Sequence, residues 1–326
     1  MNDKVKAAIA NIEKKWGKGH VVSTEKDMTV KRCPSGSLAL DIALGGGYPY
    51  GRVIEIFGPE SSGKTTLVIH AMVEAQKQYP DKMVAYLDPE YAFDSVYAEN
   101  LGLDLSPERF LFIQPEHGEQ TFDMVEELLK TKDFSLIAVD SVAAMIPRAE
   151  LEGEMGESKM GLHARLMSQG MRKITGLLSK SDTILYFTNQ LRDNIGVMYG
   201  NPEVTTGGNA LKFYASQRLD IRRTQTLKDG DTSYANTVRV TIKKNKVAPP
   251  FAKCELTIEF GQGLSLETEI VNLAIENNLI EKKGSWVTYE TLKVQGVSAM
   301  VDIVRQDVGM KEKLMSQLKD IYMLNE

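Results

Sequence analysis

A chain of 326 residues, 42% hydrophobic and 25% charged, carries enough apolar surface for one large core and a smaller second module, which excludes a disordered or disulfide-stapled peptide. Its net charge of −5 excludes simple electrostatic wrapping of nucleic acid, and no apolar run approaches the length that spans a bilayer. Cys33 and Cys254 lie far apart without metal-ligand spacing, which fits a reducing compartment and an expected place in the cytoplasm.

Taken in order, residues 3–16 predict a helix with Val5, Ile9, Ile12 and Trp16 on one apolar stripe, ended by Gly17 and Gly19. A helix this short is marginal alone, so the stripe docks either on its own domain or on another subunit. Residues 21–52 carry a turn at Pro34-Ser35-Gly36-Ser37, a helical run over 38–44 and a glycine cluster, a platform leading into the first core strand at 53–57. Next comes Gly58-Pro59-Glu60-Ser61-Ser62-Gly63-Lys64-Thr65, opening into a helix from Thr66. Strand, glycine-bounded turn and helix together predict a phosphate-binding loop. The glycines bring consecutive N–H groups close to a polyphosphate, Lys64 adds a point charge, and the Thr65 hydroxyl is placed to ligate Mg²⁺ at the positive end of the helix.

Four further apolar strands are expected at 83–87, 110–113, 134–139 and 183–188, separated by helices such as 122–130 and 162–178. That alternation predicts a mostly parallel sheet with helices on both faces, and ligands bind such sheets at the carboxyl ends of the strands. Asp88, Glu90, Asp140 and Gln190 fall at that edge. Residues 191–209, rich in Gly, Asn and Thr, are too long and irregular for a simple connector and read as a functional loop. Antiparallel strands are expected at 218–222, 238–242 and 254–260. Gly261-Gln262-Gly263 marks a boundary before a small module with helices near 266–277 and 297–324 and an extended piece at 286–289. The expected domains are therefore an N-terminal segment 1–30, a core 31–263 and a C-terminal module 264–326.

Charge is segregated along this order. Residues 88–157 hold 17 carboxylates against 4 cations, and 212–253 hold 10 cations against 3 carboxylates. The two stretches face each other either within one chain or between copies, where a head-to-tail contact propagates into a ring or filament.

With ATP and Mg²⁺ on the loop, hydrolysis calls for a carboxylate to hold the metal's waters and a group to orient the attacking water. Asp140 suits the first role unless it is only a cap, and Glu90 the second unless it is only a loop carboxylate. Gln190 can contact the γ-phosphate and pass nucleotide state into the loop it opens. Lys244 and Lys246, in the most concentrated positive run, form either a solvated edge or a pair that neutralises charge on a neighbour's ATP.

Residues 58–66, Leu87-Asp88-x-Glu90, Val139-Asp140-Ser141-Val142-Ala143-Ala144, Met160-Gly161-Leu162-x-Ala164-Arg165, Gly196-Val197-Met198-Tyr199-Gly200-Asn201-Pro202 and 206–216 together carry a resemblance. Over nearly its full length the chain resembles bacterial RecA-type recombinases. The resemblance implies an α/β P-loop NTPase core, an N-terminal polymerisation helix and a small α+β C-terminal domain. It implies a DNA-dependent ATPase that forms a head-to-tail filament on single-stranded DNA, pairs it with duplex DNA in recombination, repair and the SOS response, and acts on LexA-type repressors. Glu90 matches the water-activating glutamate, Gln190 the γ-phosphate sensor, and Lys244 and Lys246 the lysines reaching a neighbour's ATP. Tyr97 matches the adenine-stacking tyrosine, with Asp94 beside it. Residues 150–161 and 191–207 match two DNA-binding loops, with Met160, Gly161, Arg165, Ser168, Arg172, Ile195, Gly207, Gly208 and Asn209 at contacting positions.

Several residues depart from the family pattern. Tyr91 stands where a His is usual, and Asp193 and Asn194 replace an apolar and a basic residue, which predicts a weaker electrostatic grip. Glu150, Glu152, Glu154 and Glu157 make the first loop acidic, so DNA there rests on backbone N–H groups, Arg165, Arg172, Lys173 and apolar insertion. The sequence ends at Asn325-Glu326 without a long acidic tail, and inhibition of duplex access by such a tail is not expected. A nucleotide-gated scaffold for partner proteins is the alternative from another class. A hexameric helicase or small-molecule kinase shares the core but leaves residues 198–215 without a role.

Overall fold

Strands with both faces apolar must be covered on both sides, and the computed structural model, which describes residues 2–17, 30–154, 161–193 and 202–324, shows how. The chain forms two compact units, 1–31 and 32–326. The first contains α1 (Asp3–Trp16), whose N-cap Asn2 accepts from Lys4 N at 3.2 Å and whose end is closed by Gly17.

The second unit starts with β1 (Arg32–Cys33), α2 (Leu38–Leu44) and β2 (Tyr48–Pro49). Then follow β3 (Val53–Gly58), α3 (Lys64–Gln78), β4 (Met83–Leu87), α4 (Ser95–Asn100), β5 (Phe110–Ile113), α5 (Gly118–Thr131) and β6 (Phe134–Val139). After a single 3₁₀ turn come α6 (Arg148–Leu151), α7 (Leu162–Leu178), β7 (Ile184–Asp193), β8 (Glu203–Thr205) and α8 (Ala210–Tyr214). Long antiparallel strands β9 (Gln217–Asp229), β10 (Thr232–Asn245) and β11 (Lys253–Glu259) lead through β12 (Gly263–Leu264) to α9 (Leu266–Glu276). The chain closes with β13 (Glu281–Lys283), β14 (Trp286–Tyr289), β15 (Leu292–Gln295), α10 (Val297–Gln306) and α11 (Val308–Ile321).

The central sheet runs β12-β11-β10-β9-β3-β7-β6-β4-β5, parallel from β9 to β5 and antiparallel from β9 to β12. Alternate residues of each parallel strand enter different cores. Ile54, Ile56, Tyr86 and Leu136 pack with Leu67, Ile69 and Met72 of α3. Val53, Leu87, Ile137 and Phe187 pack with Phe122 and Val125 of α5 and Leu166, Met171 and Ile174 of α7. Every residue of β3 and β6 is buried, as a strand covered on both faces requires. A third cluster joins α9, α10, α11 and β14 and includes Leu38 of α2.

Two expectations change. The helical pattern of 297–324 is two helices, because Asp307 leaves helical geometry and caps α11, accepting from Met310 N at 2.9 Å. The fifth strand does not end before Gln190. Leu191, Arg192 and Asp193 pair with Thr205, Val204 and Glu203 of β8, so Gln190 lies inside β7.

Candidate functional site

Register alone assembles one polar edge. Leu87 pairs with Val139, Val139 with Phe187, and Gly58 with Gln190, so the residues that follow these positions emerge side by side above the sheet. The P-loop leaves this edge from β3. A Cβ on Gly58 would sit 2.2 Å from Ile221 O, and Gly63, at φ +94°, would bring one to 2.4 Å from Ile258 Cδ1. Close approach therefore requires glycine at both positions. Ser62 Oγ ties the loop by donating to Pro59 O at 2.8 Å, while Pro59, Glu60 and Ser61 are exposed. Lys64 Nζ donates to Gly58 O at 3.1 Å and Pro59 O at 2.7 Å. Burial holds its ammonium below the ordinary lysine range, opposed by Asp140, Glu90 and Glu60.

Asp140, 8% exposed, collects three hydroxyls: Thr65 Oγ1 at 2.7 Å and Tyr86 OH at 2.8 Å on Oδ2, and Thr188 Oγ1 on Oδ1. A carboxylate with hydroxyl donors on both oxygens has the donor set of an anion, and it stands beside the P-loop hydroxyl. Asp88 shapes the neighbouring loop by accepting from Ala92 N at 2.9 Å, Phe93 N at 3.0 Å and Glu90 N at 3.2 Å. That loop presents Glu90, whose Oε1 accepts from Ser141 Oγ and from Gln190 Nε2 at 3.0 Å. Gln190 Oε1 in turn accepts from Arg192 at 2.7 Å. Tyr91, at φ 57°, is exposed.

On the other side of the P-loop, Asp94 caps α4 by accepting from Tyr97 N at 2.9 Å, and Tyr97 OH meets Thr66 Oγ1 at 2.9 Å. Tyr97 and Thr66 line a cavity of about 270 Å³ with Asn236, Ile258, Phe260 and Gly261. These last four were not legible as lining residues: Asn236 sits inside β10, and the glycine turn that follows Ile258 and Phe260 reads only as a boundary.

Lys244 Nζ donates to Lys212 O at 2.7 Å and Phe213 O at 3.0 Å, and Lys246 Nζ reaches Phe213 O at 3.5 Å. Burial, with Lys246 and Arg218 nearby, lowers the Lys244 pKa. Gly161 precedes α7 in left-handed geometry, and Arg165 and Arg172 are exposed along it, Arg172 Nε donating to Ser168 O at 3.1 Å. Lys173 is instead tied to Asp123 at 2.8 Å and Glu126 at 2.5 Å of α5. Gly207 and Gly208, both at positive φ, lie against α7, where added Cβ atoms would stand 2.9 Å from Met167 Cγ and 2.7 Å from Ala164 Cβ. Asn209 occupies the N-cap position of α8 directly after them, without a side-chain capping bond. The structure thus brings Gly207 and Gly208 onto the helix that carries Arg165 and Arg172. Met160, Ile195 and Asn194 lie outside the described residues. No helix among the described residues is long and apolar enough to cross a membrane.

A glycine loop between strand and helix, with Lys64 and Thr65 facing a strand-end carboxylate, defines an α/β P-loop NTPase. Residues 3–265 match the family model described as RecA N-terminal domain. The chain is 49% identical over 322 residues to Protein RecA of Porphyromonas gingivalis (strain W83), covering 97% of this chain and 93% of that protein. It is 50% identical over 319 residues to Protein RecA of Chlorobium chlorochromatii, covering 96% and 89%, and 49% identical over 314 residues to that of Bacteroides thetaiotaomicron, covering 95% and 94%. The chain belongs to the RecA family, and its function is that of a recombination and repair ATPase that is DNA-dependent and exchanges strands.

Proposed function

We propose that the polar edge is an ATP-hydrolysing site in which Glu90 is the base that orients the attacking water and Gln190 reports its state. Bound Mg²⁺ supplies Lewis-acid polarisation of the phosphates, and Thr65 and Asp140 are the residues that would hold it. Lys64 and the backbone N–H groups of 60–66 neutralise phosphate charge, and Tyr97 with the cavity beside it takes the adenine. Glu90 and Gln190 are joined by a 3.0 Å hydrogen bond, the observation that carries the reading. It links the candidate base to the strand that runs into the second loop, so a change at one is felt at the other.

In this reading the segments around Arg165, Ser168 and Arg172 and around 207–209 bind single-stranded DNA, and copies assemble head to tail with Lys244 and Lys246 directed at a neighbour's ATP. The domain division is 1–30, 31–263 and 264–326, with α1 docking on the next copy. The same filament stimulates self-cleavage of LexA-type repressors. Phosphate release with and without single-stranded DNA tests the core of this account: turnover rises with DNA, and a rate indifferent to DNA removes it.

A further inference from the structure

Glu55 is fully buried in the middle of the central sheet, and its partners lead in two directions. Strand register sets Phe187, Glu55, Arg218 and Lys244 side by side across β7, β3, β9 and β10. Directly paired residues share a face, so the carboxylate meets a guanidinium on the next strand, and the strand beyond carries Lys244. Glu55 Oε2 accepts from Arg218 Nε, and that guanidinium lies 4.7 Å over the Phe57 ring.

The other oxygen looks toward the loop. Glu55 Oε1 accepts from Asn189 Nδ2 at 3.0 Å, and the same Nδ2 donates to Thr206 O at 3.1 Å. Asn189 Oδ1 accepts from Thr206 Oγ1 and from Gln190 N at 2.9 Å, and Thr206 N donates to Gln190 O at 3.4 Å. Both feet of the second loop thereby meet at Asn189, and Asn189 is fastened to the Glu55 carboxylate. A buried ion pair is weak evidence for a stabilising role, because its replacement by well-packed apolar residues is often neutral or stabilising.

We propose that Glu55 is a positioning residue that couples the second DNA loop, through Asn189 and Thr206, to the row ending at Lys244, through Arg218. The proposal rests on the reading above, in which that loop binds DNA and Lys244 acts on a neighbour's ATP.

The test is fluorescence anisotropy of a labelled single-stranded oligonucleotide with the full chain, in ADP and in a non-hydrolysable ATP analogue. Wild type binds more tightly with the analogue. In Glu55→Gln and Thr206→Val the ratio of the two affinities falls by about tenfold, the usual scale of site-to-site coupling, while Thr206→Ser, which keeps the hydroxyl, preserves it. A purely structural role moves both affinities together and leaves the ratio unchanged. A folded Glu55→Gln chain with the wild-type ratio overturns the proposal. If thermal melting shows that Glu55→Gln does not fold, equal ratios in Thr206→Val and Thr206→Ser overturn it. A wild-type chain with no difference between nucleotides overturns the reading beneath it, and the coupling with it.

Discussion

Asp140 and Glu90 are held differently, Asp140 in a buried cage of hydroxyls and Glu90 at the exposed edge. Asp140 is held by Thr65, Tyr86 and Thr188, whereas Glu90 is held by Ser141 and by Gln190, which is itself bonded to Arg192. Glu90→Gln keeps the size and the hydrogen bonding but removes the proton acceptor. Turnover should fall by about 100-fold or more, the scale of a lost general base, with nucleotide affinity little changed. Phosphate release and a fluorescent-nucleotide titration read the two quantities separately, and unchanged release would place the base elsewhere. Both carboxylates were legible in the sequence because each follows an apolar strand. Two of Asp140's partners were not: Tyr86 and Thr188 sit inside strands where a hydroxyl looks like filler, and each meets Asp140 only once β4, β6 and β7 are in register.

Elements were legible where both periodicity and a stop signal were present. Helix α7 lies at 162–178 because its stripe is continuous, whereas the run after 297 conceals a break, since Asp307 inside a helical pattern reads as one more polar face. Contacts between elements leave still less trace. Glu269, on the apolar face of α9, reaches across to the start of α2. Its Oε2 accepts from Ser37 Oγ at 2.8 Å and Ala39 N at 3.3 Å, and its Oε1 has no protein partner. Burial raises its pKa to about 8, with Ser37 and Ala39 pulling back and Asp41 adding to the rise. Unfolded, the same carboxyl titrates near ~4.3, so the folded chain binds the proton more tightly. The stability this provides is complete below the unfolded value and is lost as pH rises through about 8. Glu269→Gln, neutral throughout, should gain on wild type between roughly pH 5 and 9, by a few kcal/mol at the alkaline end. Urea unfolding of both chains across that range checks it, and a constant difference would show that Glu269 is ionised throughout.

At the scale of the molecule, the segregated charge gives the sharpest test of polymer chemistry. Within the chain Arg218, Arg222, Arg239 and Lys243 pair with Glu55, Glu203, Asp220 and Glu255, carboxylates close to them in the sheet. Lys244 and Lys246 instead donate to the carbonyls of residues 212 and 213, so these bonds hold them without neutralising them. None of those carboxylates belongs to the acidic stretch 88–157; segregated charge is legible in the sequence, but what the acidic stretch faces is a property of assembly, which composition does not encode. If Lys244 serves the site of an adjoining copy, Glu90→Gln and Lys244→Ala each abolish DNA-stimulated turnover but damage opposite halves of a shared site. In a one-to-one mixture, random head-to-tail assembly on single-stranded DNA gives about a quarter of the junctions an intact Glu90 from one copy and an intact Lys244 from the next. Phosphate release should therefore recover to about a quarter of the wild-type rate on mixing, and should depend on the mixing ratio with a maximum near equality. A site complete within one chain predicts no recovery at any ratio, so a flat response would place the work of Lys244 inside its own subunit.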